Sequence, residues 1–196
     1  LEALPKGARV GTGSVRRTSQ LRAWRPDLEV VGLRGNVETR LRKMEESLDA
    51  VILATSGLER LGLEARIRER VPPERLLPAA GQGTLALQVR ADDTLAERLA
   101  ALDHAPTRHA TLAERAFLAT LEGDCGVPLA ALAEPVGAGR LRLRGLVARV
   151  DGREVVAGEG EDAVERAAEL GRRVGEDVRA RGGDRILREH LARGAR

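Results

Sequence analysis

Three short apolar segments near the start of the chain, each followed by a turn and a helical pattern, constrain the fold most strongly. The apolar segments cover residues 8–12, 28–33 and 49–54, and the helical patterns cover residues 15–25, 37–47 and 58–70. Strands that alternate with helices at this spacing predict an α/β layer built on a parallel sheet. Ligands bind such sheets beyond the carboxyl ends of the strands, so the turns after these segments are candidate positions for a site.

A different pattern follows this layer. Residues 76–83 (Leu-Leu-Pro-Ala-Ala-Gly-Gln-Gly) are predicted to be a crossing segment with a hinge at its two glycines. A strand over 84–90 and a short helix over 94–102 are expected next, and the strand needs a further sheet to join. The remaining pattern predicts a helix over 107–121, antiparallel strands over 129–133, 140–150 and 154–158 with a hairpin turn at Asp151-Gly152, and helices over 162–181 and 184–193.

Composition excludes several classes of function. The 196 residues contain no apolar run near the roughly 18 residues that a membrane span requires. The aromatic share of 1% offers no platform for stacking bases, and the three histidines lack the spacing of metal ligands. The single cysteine indicates a cytosolic protein. Because the only Met stands at position 44, we expect that residue 1 is not a translation start and that an upstream part exists.

Positive charge is concentrated in the first segment, where residues 1–43 carry a net charge of +6 against −3 for the rest. Arg16 and Arg17 fall in the first turn of a predicted helix capped by Ser14, where cations oppose the helix dipole unless an anion is bound. Further arginines at positions 34, 40 and 60 lie near the other two strand ends. Such a cluster is either solvated or forms a pocket for a polyanion.

A dinucleotide site is an alternative for the same turn. Gly11 and Gly13 match the first two glycines of a Gly-x-Gly-x-x-Gly fingerprint, and Arg34 could contact a 2′-phosphate. However, Arg16 stands where the fingerprint requires its third glycine.

The only cysteine, Cys125, lies in the stretch Leu-Glu-Gly-Asp-Cys-Gly-Val-Pro over residues 121–128. The flanking glycines and Pro128 predict a tight, exposed turn, which is a suitable position for tethering a group. The alternative is a small, inert cysteine in the core.

Four segments in order resemble the porphobilinogen deaminase (hydroxymethylbilane synthase) family: VGTGSVRRTSQL over 10–21, LRGNVETRL over 33–41, AAGQG over 79–83 and LEGDCGVP over 121–128. The resemblance implies three domains, of which the first two resemble type II periplasmic binding proteins. It therefore predicts a periplasmic-binding-protein-like α/β domain over 1–82, a strand and helix over 83–103 that return to a first domain, and a C-terminal α+β domain over 105–196 with an antiparallel three-stranded sheet.

The resemblance also implies a function. The family condenses four porphobilinogen units into hydroxymethylbilane with release of ammonia, in tetrapyrrole (haem) biosynthesis. It uses a dipyrromethane cofactor, which a thioether bond would hold on Cys125. The chain is thereby expected to be part of a cytoplasmic, monomeric transferase that binds porphobilinogen and polypyrrole intermediates, without a nucleic-acid, membrane or metal partner.

By the same resemblance, the cofactor would be bound by Cys125, Thr12, Ser14, Arg16, Arg17, Arg34 and Arg40, and the substrate by Arg34, Arg40, Arg60, Gln82 and Gly83. Two positions depart from the family pattern: Asp124 replaces a glycine, and Gly13 replaces a serine. The family's catalytic aspartate has no match here, so we expect the 196 residues alone not to polymerise porphobilinogen. A non-enzymatic anion-binding module of the periplasmic-binding-protein type remains an alternative, although it gives Cys125 no role.

Overall fold

The computed structural model of the protein describes residues 1–90, 94–122 and 126–194. The N-terminal unit contains a parallel sheet in which β1 lies between β2 and β3. Its elements are β1 (Arg9–Thr12), α1 (Val15–Trp24), β2 (Glu29–Gly32), α2 (Val37–Ser47), β3 (Ala50–Val51) and α3 (Thr55–Arg60). The predicted α/β layer is therefore confirmed, although β3 is shorter than expected.

The first two helices begin where the sequence predicts because polar side chains cap them. Ser14 is the N-cap of α1, and its Oγ accepts a hydrogen bond from the Arg17 backbone N–H at 3.4 Å. Asn36 caps α2 in the same way, since its Oδ1 accepts from the Thr39 N–H at 2.8 Å. Both caps satisfy N–H groups that have no partner within the helix.

The prediction for the third helix was wrong. This helix begins at Thr55 and ends at Arg60, ten residues before the predicted end, and a short 3-10 turn follows at Glu64–Arg66. Gly62 has φ of +66° and donates to the Glu59 carbonyl at 3.0 Å, while the Leu63 N–H donates to the Leu58 carbonyl at 2.9 Å. These two bonds form a glycine-based C-terminal cap, which turns the chain out of the helix.

The predicted strand over 84–90 was also wrong, since these residues have no regular structure. Leu85 and Leu87 are 81% and 61% exposed, and no strand among the described residues pairs with this stretch. Alternating apolar residues form a stable strand only when a neighbouring strand completes the hydrogen bonds. The helix predicted after it is present as α4 (Leu95–Leu99) followed by a 3-10 turn at Ala100–Leu102.

The C-terminal unit contains the predicted antiparallel sheet, in the order β4-β5-β6. Its elements are α5 (Ala105–Thr120), β4 (Leu129–Pro135), β5 (Arg140–Ala148), β6 (Val155–Ala163), α6 (Ala167–Val178) and α7 (Asp184–Gly194). The helix expected from residue 162 begins five residues later because β6 continues to Ala163, which pairs with Arg140.

Close approaches mediated by glycine hold the C-terminal core together. Phe117 of α5 is fully buried against β5, where a Cβ on Gly145 would lie 2.4 Å from its ring. Where α6 packs against α5, a Cβ on Gly171 of α6 would lie 2.2 Å from the Ala113 carbonyl oxygen. Both glycines therefore allow contacts that no larger residue would permit without a shift.

The two units meet along α1 and the β5–β6 hairpin. Arg22 Nη1 donates to the Val150 carbonyl oxygen at 3.1 Å. A groove of about 730 Å³ runs beside this contact, and Trp24 and Arg75 line it with the Arg75 guanidinium 5.3 Å from the indole ring centre. In the part of the chain that the structure describes, no helix combines the length and apolarity needed to cross a membrane.

Candidate anion-binding site

A cavity of about 630 Å³ lies at the carboxyl end of the parallel sheet. Its wall brings together the start of α1, the chain that leaves β3 and the crossing segment. The lining residues that bear on the predicted site are Arg16, Arg17, Ile52, Gln82 and Gly83. This position is the one expected for a ligand of an α/β layer.

Arg16 is the most buried cation of the cavity, with only 9% of its surface exposed. Its Nη1 donates to the Leu77 carbonyl oxygen at 2.7 Å. Burial, and next the positive charge of Arg17, lower the pKa of Arg16 to about 10. The side chain is thus held in a place that disfavours its charge.

Arg17 is half-buried and donates from Nη1 to the Ile52 carbonyl oxygen at 2.9 Å. Burial lowers its pKa, and the charge of Arg40 adds to the effect. Within the described residues, neither Arg16 nor Arg17 forms an ion pair with a carboxylate. Two guanidinium groups on one cavity wall therefore lack an anionic partner, which a bound carboxylate would supply.

Thr12 and Ser14 organise the loop before α1. Thr12 is 3% exposed, and its Oγ1 accepts from the Ser14 N–H at 3.3 Å. Between them, Gly13 lies so close to β2 that an added Cβ would be 2.5 Å from the Leu33 carbonyl oxygen. The glycine at this departure from the family pattern therefore fits the local packing.

The other predicted arginines do not line the cavity. Arg40 is half-buried at the start of α2, and its Nε donates to the Gly35 carbonyl oxygen at 2.7 Å. Its charge reaches Arg17, as the lowered pKa of Arg17 reflects. Arg34 and Arg60 are exposed on the surface, Arg34 in the loop after β2 and Arg60 in the last turn of α3.

Gln82 and Gly83 are exposed at the cavity wall, as part of the crossing segment. The Gln82 N–H donates to the Ala79 carbonyl oxygen at 3.0 Å, which forms a turn. Gly81 and Gly83 have φ of +71° and +86°, a left-handed conformation that glycine adopts without strain.

Cys125, the predicted attachment point of the cofactor, lies outside the described residues, as does Asp124. The chain is described again from Gly126, whose carbonyl oxygen accepts a hydrogen bond from His190 Nε2 of α7 at 2.9 Å. Pro128, Ile186 and His190 line a smaller cavity of about 330 Å³.

Two polar residues with structural roles near the site escaped sequence analysis. Gln20 is 7% exposed and forms two hydrogen bonds with the Leu77 backbone. Its Oε1 accepts from the Leu77 N–H at 2.7 Å, and its Nε2 donates to the Leu77 carbonyl oxygen at 3.0 Å. Glu114 is 6% exposed in α5. The available signal was a polar residue next to the apolar face of a helix, as Glu114 is next to Ala113 and near Phe117.

The described residues do not favour a dinucleotide or a metal ion as the ligand of this site. Arg16, which replaces the third glycine of a dinucleotide fingerprint, occupies the helix start with a buried side chain. Among the described residues, no group of three His, Cys, Asp or Glu side chains could hold a metal ion.

Comparison with known proteins identifies the family. A family model described as porphobilinogen deaminase, dipyromethane cofactor binding domain, matches residues 1–98, and one described as its C-terminal domain matches residues 109–180. A porphobilinogen deaminase of Carboxydothermus hydrogenoformans is 47% identical over 188 residues, which cover 95% of this chain and 60% of that protein.

Two further relatives with the same name agree. That of Nitratidesulfovibrio vulgaris strain Hildenborough is 50% identical over 197 residues, covering 100% of this chain and 62% of the relative. That of Pelobacter propionicus is 50% identical over 188 residues, covering 95% and 60%. The chain thus spans about 60% of the length of the curated relatives it matches. Because family models cover both units and these relatives are 47–50% identical over nearly all of this chain, the chain belongs to the porphobilinogen deaminase family.

Proposed function

We propose that the chain is part of a transferase that condenses four porphobilinogen units into hydroxymethylbilane, with release of ammonia. The growing product would be held on a dipyrromethane attached through Cys125. The names of the relatives and of the matching cofactor-binding family model support this assignment.

The observation that carries the proposal is the pair of guanidinium groups, Arg16 and Arg17, on one cavity wall without a carboxylate partner in the described part of the chain. Each pyrrole ring of porphobilinogen and of its oligomers bears two carboxylates. Charge-assisted hydrogen bonds to guanidinium contribute roughly 1.5–3 kcal/mol each, so a pyrrole chain would offset the cost of burying these arginines.

The predicted site residues would have different binding roles, set by where each lies relative to the cavity. Arg16 and Arg17 would bind carboxylates of the dipyrromethane, while Thr12 and Ser14 hold the loop that orients both arginines. Arg34, Arg40 and Arg60 lie beyond the cavity and would bind carboxylates of the longer chain. Gln82 and Gly83 would form the wall against which an incoming porphobilinogen lies. The dipyrromethane, when bound, supplies the pyrrole carbon at which the chain grows.

The finer organisation of the protein follows from the same assignment. We propose that residues 1–82 form a domain like one lobe of a type II periplasmic binding protein, that residues 83–103, which include α4, return to a further domain, and that residues 105–196 form the cofactor-carrying domain. A cytoplasmic monomer without nucleic-acid or membrane partners accords with this proposal.

Intact-mass measurement tests the assignment. The complete transferase proposed here, purified from cells that synthesise porphobilinogen, should carry the extra mass of a dipyrromethane on Cys125, and its Arg16→Leu and Arg17→Leu variants should lose that mass. Arg42→Leu, which removes an exposed arginine paired with Glu46 at 3.0 Å, is the matched control and should retain the mass. Active protein with an unmodified Cys125 would refute the proposal.

A non-enzymatic anion-binding module is the second candidate, because the same cavity and arginines would bind other polyanions. A colour reaction for pyrroles on the purified protein separates the two. A negative reaction together with tight binding of a non-pyrrole dicarboxylate would favour the module.

A further inference from the structure

A buried glutamate of α5 contacts the crossing segment, although it does not line the arginine cavity. Both carboxylate oxygens of Glu114 accept hydrogen bonds from backbone N–H groups: Oε2 from Gly81 at 2.6 Å and Oε1 from Ala133 at 2.8 Å. The carboxylate therefore joins the crossing segment to β4. A hydrogen bond that a backbone N–H donates to an ionised carboxylate is among the stronger hydrogen bonds in proteins.

A second contact from the same helix lies just beyond the crossing segment. Thr111 stands one turn before Glu114, and its Oγ1 is 2.9 Å from the Oγ1 of Thr84, within hydrogen-bond distance. Gly81 and Thr84 immediately flank Gln82 and Gly83. One face of α5 thus holds both ends of the two-residue stretch that reaches the cavity wall.

The crossing segment also lies along the free edge of the C-terminal sheet. β4 is an edge strand, and its outward N–H groups at Ala131 and Ala133 donate to the Pro78 carbonyl oxygen at 3.1 Å and to Glu114. Ala80 packs against the C-terminal core. The C-terminal unit, rather than the parallel sheet alone, therefore anchors this segment, which covers an edge that would otherwise be open to pairing.

We infer that Glu114 and Thr111 are positioning residues that hold Gln82 and Gly83 at the wall of the arginine cavity, so that the C-terminal unit sets the geometry in which a pyrrole dicarboxylate is bound. The inference rests on the proposed function for its substrate, whereas the contacts themselves do not. The positive φ values of Gly81 and Gly83 strengthen the argument, because glycine backbone is loose unless neighbouring groups restrain it.

Hydrogen–deuterium exchange of residues 79–84 tests this role without requiring turnover. Glu114→Gln keeps the shape but turns an amide NH₂ toward one of the two N–H groups, which then loses its acceptor. We expect exchange in residues 79–84 to become about tenfold faster in Glu114→Gln, and to rise by a smaller factor in Thr111→Val. Porphobilinogen, measured by calorimetry on the same proteins, should bind about fivefold more weakly to Glu114→Gln.

Two control variants separate positioning from general destabilisation. Val178→Ala removes buried volume from α6. Thr107→Val removes a hydroxyl of α5 that lies within hydrogen-bond distance of His104 Nδ1. Both should leave exchange in residues 79–84 unchanged, even though Val178→Ala lowers the melting temperature. Unchanged exchange in Glu114→Gln, or equal acceleration in Val178→Ala, would overturn the inference.

The experiment also distinguishes this inference from the proposed function. If the unmodified protein and Arg16→Leu bind porphobilinogen equally, the proposed function fails, while the exchange rates still decide whether α5 holds the crossing segment. If the unmodified protein binds porphobilinogen and Glu114→Gln binds it with the same affinity, the positioning role is overturned.

Discussion

Burying the guanidinium groups of Arg16 and Arg17 costs free energy, and the carboxylate that we propose they bind would offset this cost. Arg16 is almost enclosed, its pKa is lowered to about 10 by burial and by Arg17, and its Nη1 donates to the Leu77 carbonyl oxygen rather than to a carboxylate. Binding sites commonly sacrifice stability for function in this way. The two arginines should therefore destabilise the empty protein and stabilise the liganded one.

Replacing Arg16 with Met should leave the free energy of unfolding of ligand-free protein unchanged or raise it by about 1 kcal/mol. The Leu77 carbonyl oxygen would keep its bond from Gln20 Nε2 at 3.0 Å, so no acceptor is left unpaired. Urea denaturation of protein without cofactor measures the effect. A loss of more than about 2 kcal/mol would mean that Arg16 is mainly a structural residue.

The pH dependence of stability should carry a signature of Glu114. Burial raises its pKa above the ordinary value of 4.5, with a further rise from Glu134, and these effects outweigh the bonds from Gly81 and Ala133. The folded protein then binds this proton more tightly than the unfolded chain does. The contribution of Glu114 to the free energy of unfolding is therefore greatest below pH 4.5 and falls as the pH rises through the raised pKa.

Urea denaturation of the unmodified protein and of Glu114→Gln, from below pH 4.5 to neutrality, measures this effect. The unmodified protein should lose stability relative to the variant as the pH rises across that window. Parallel curves for the two proteins would show that the carboxyl does not titrate differently in the folded state.

Residues whose placement depends on neighbouring sequence could be predicted, whereas residues whose placement depends on packing between distant segments could not. Arg16 and Arg17 were predictable because cations in the first turn of a helix need an anion. Glu114 was not predicted: its place beside the apolar face of α5 indicates burial, but its partners Gly81 and Ala133 are distant in the sequence and cannot be inferred from it.

The same distinction holds for whole elements. The first two helices were predicted to within a residue because Ser14 and Asn36 cap them through neighbouring N–H groups. The early end of α3 at Arg60 could have been inferred from Gly62, whereas the lack of a strand over 84–90 depends on which strands are available to pair. Local signals set helix ends, but strand formation requires a partner.

Packing of α6 on α5 depends on Gly171. Gly171→Ala places a methyl group where it would be 2.2 Å from the Ala113 carbonyl oxygen, so the helices must separate. We expect the free energy of unfolding to fall by about 1–3 kcal/mol. Gly57→Ala is the matched control, since this helical glycine has only an ordinary contact at 3.6 Å, and it should be neutral or stabilising. Thermal denaturation of both variants measures the difference, and equal melting temperatures would contradict the packing account.

For the whole molecule, the contact between the units depends on the β5–β6 hairpin. Gly152 has φ of +76°, and a Cβ there would lie 2.5 Å from the Ala23 backbone nitrogen of α1. Gly152→Ala should therefore destabilise the protein by about 1–3 kcal/mol more than Gly139→Ala. Gly139 has φ of +68° with nothing within 4 Å, so this control carries the backbone strain without the collision. Urea denaturation compares the two variants, and similar losses would show that the hairpin can move away from α1 at little cost.

Trp24, which lines the groove between the units, can serve as an intrinsic fluorescence probe. The chain contains one Trp and no Tyr, so nearly all of its near-ultraviolet emission originates from Trp24, beneath the Arg75 guanidinium. Indole emission shifts with the polarity of its surroundings and is altered by a nearby cation. A change in spacing between the α/β layer and the C-terminal sheet would therefore appear directly in the fluorescence spectrum of the unlabelled protein, and stopped-flow mixing with porphobilinogen could follow it in real time.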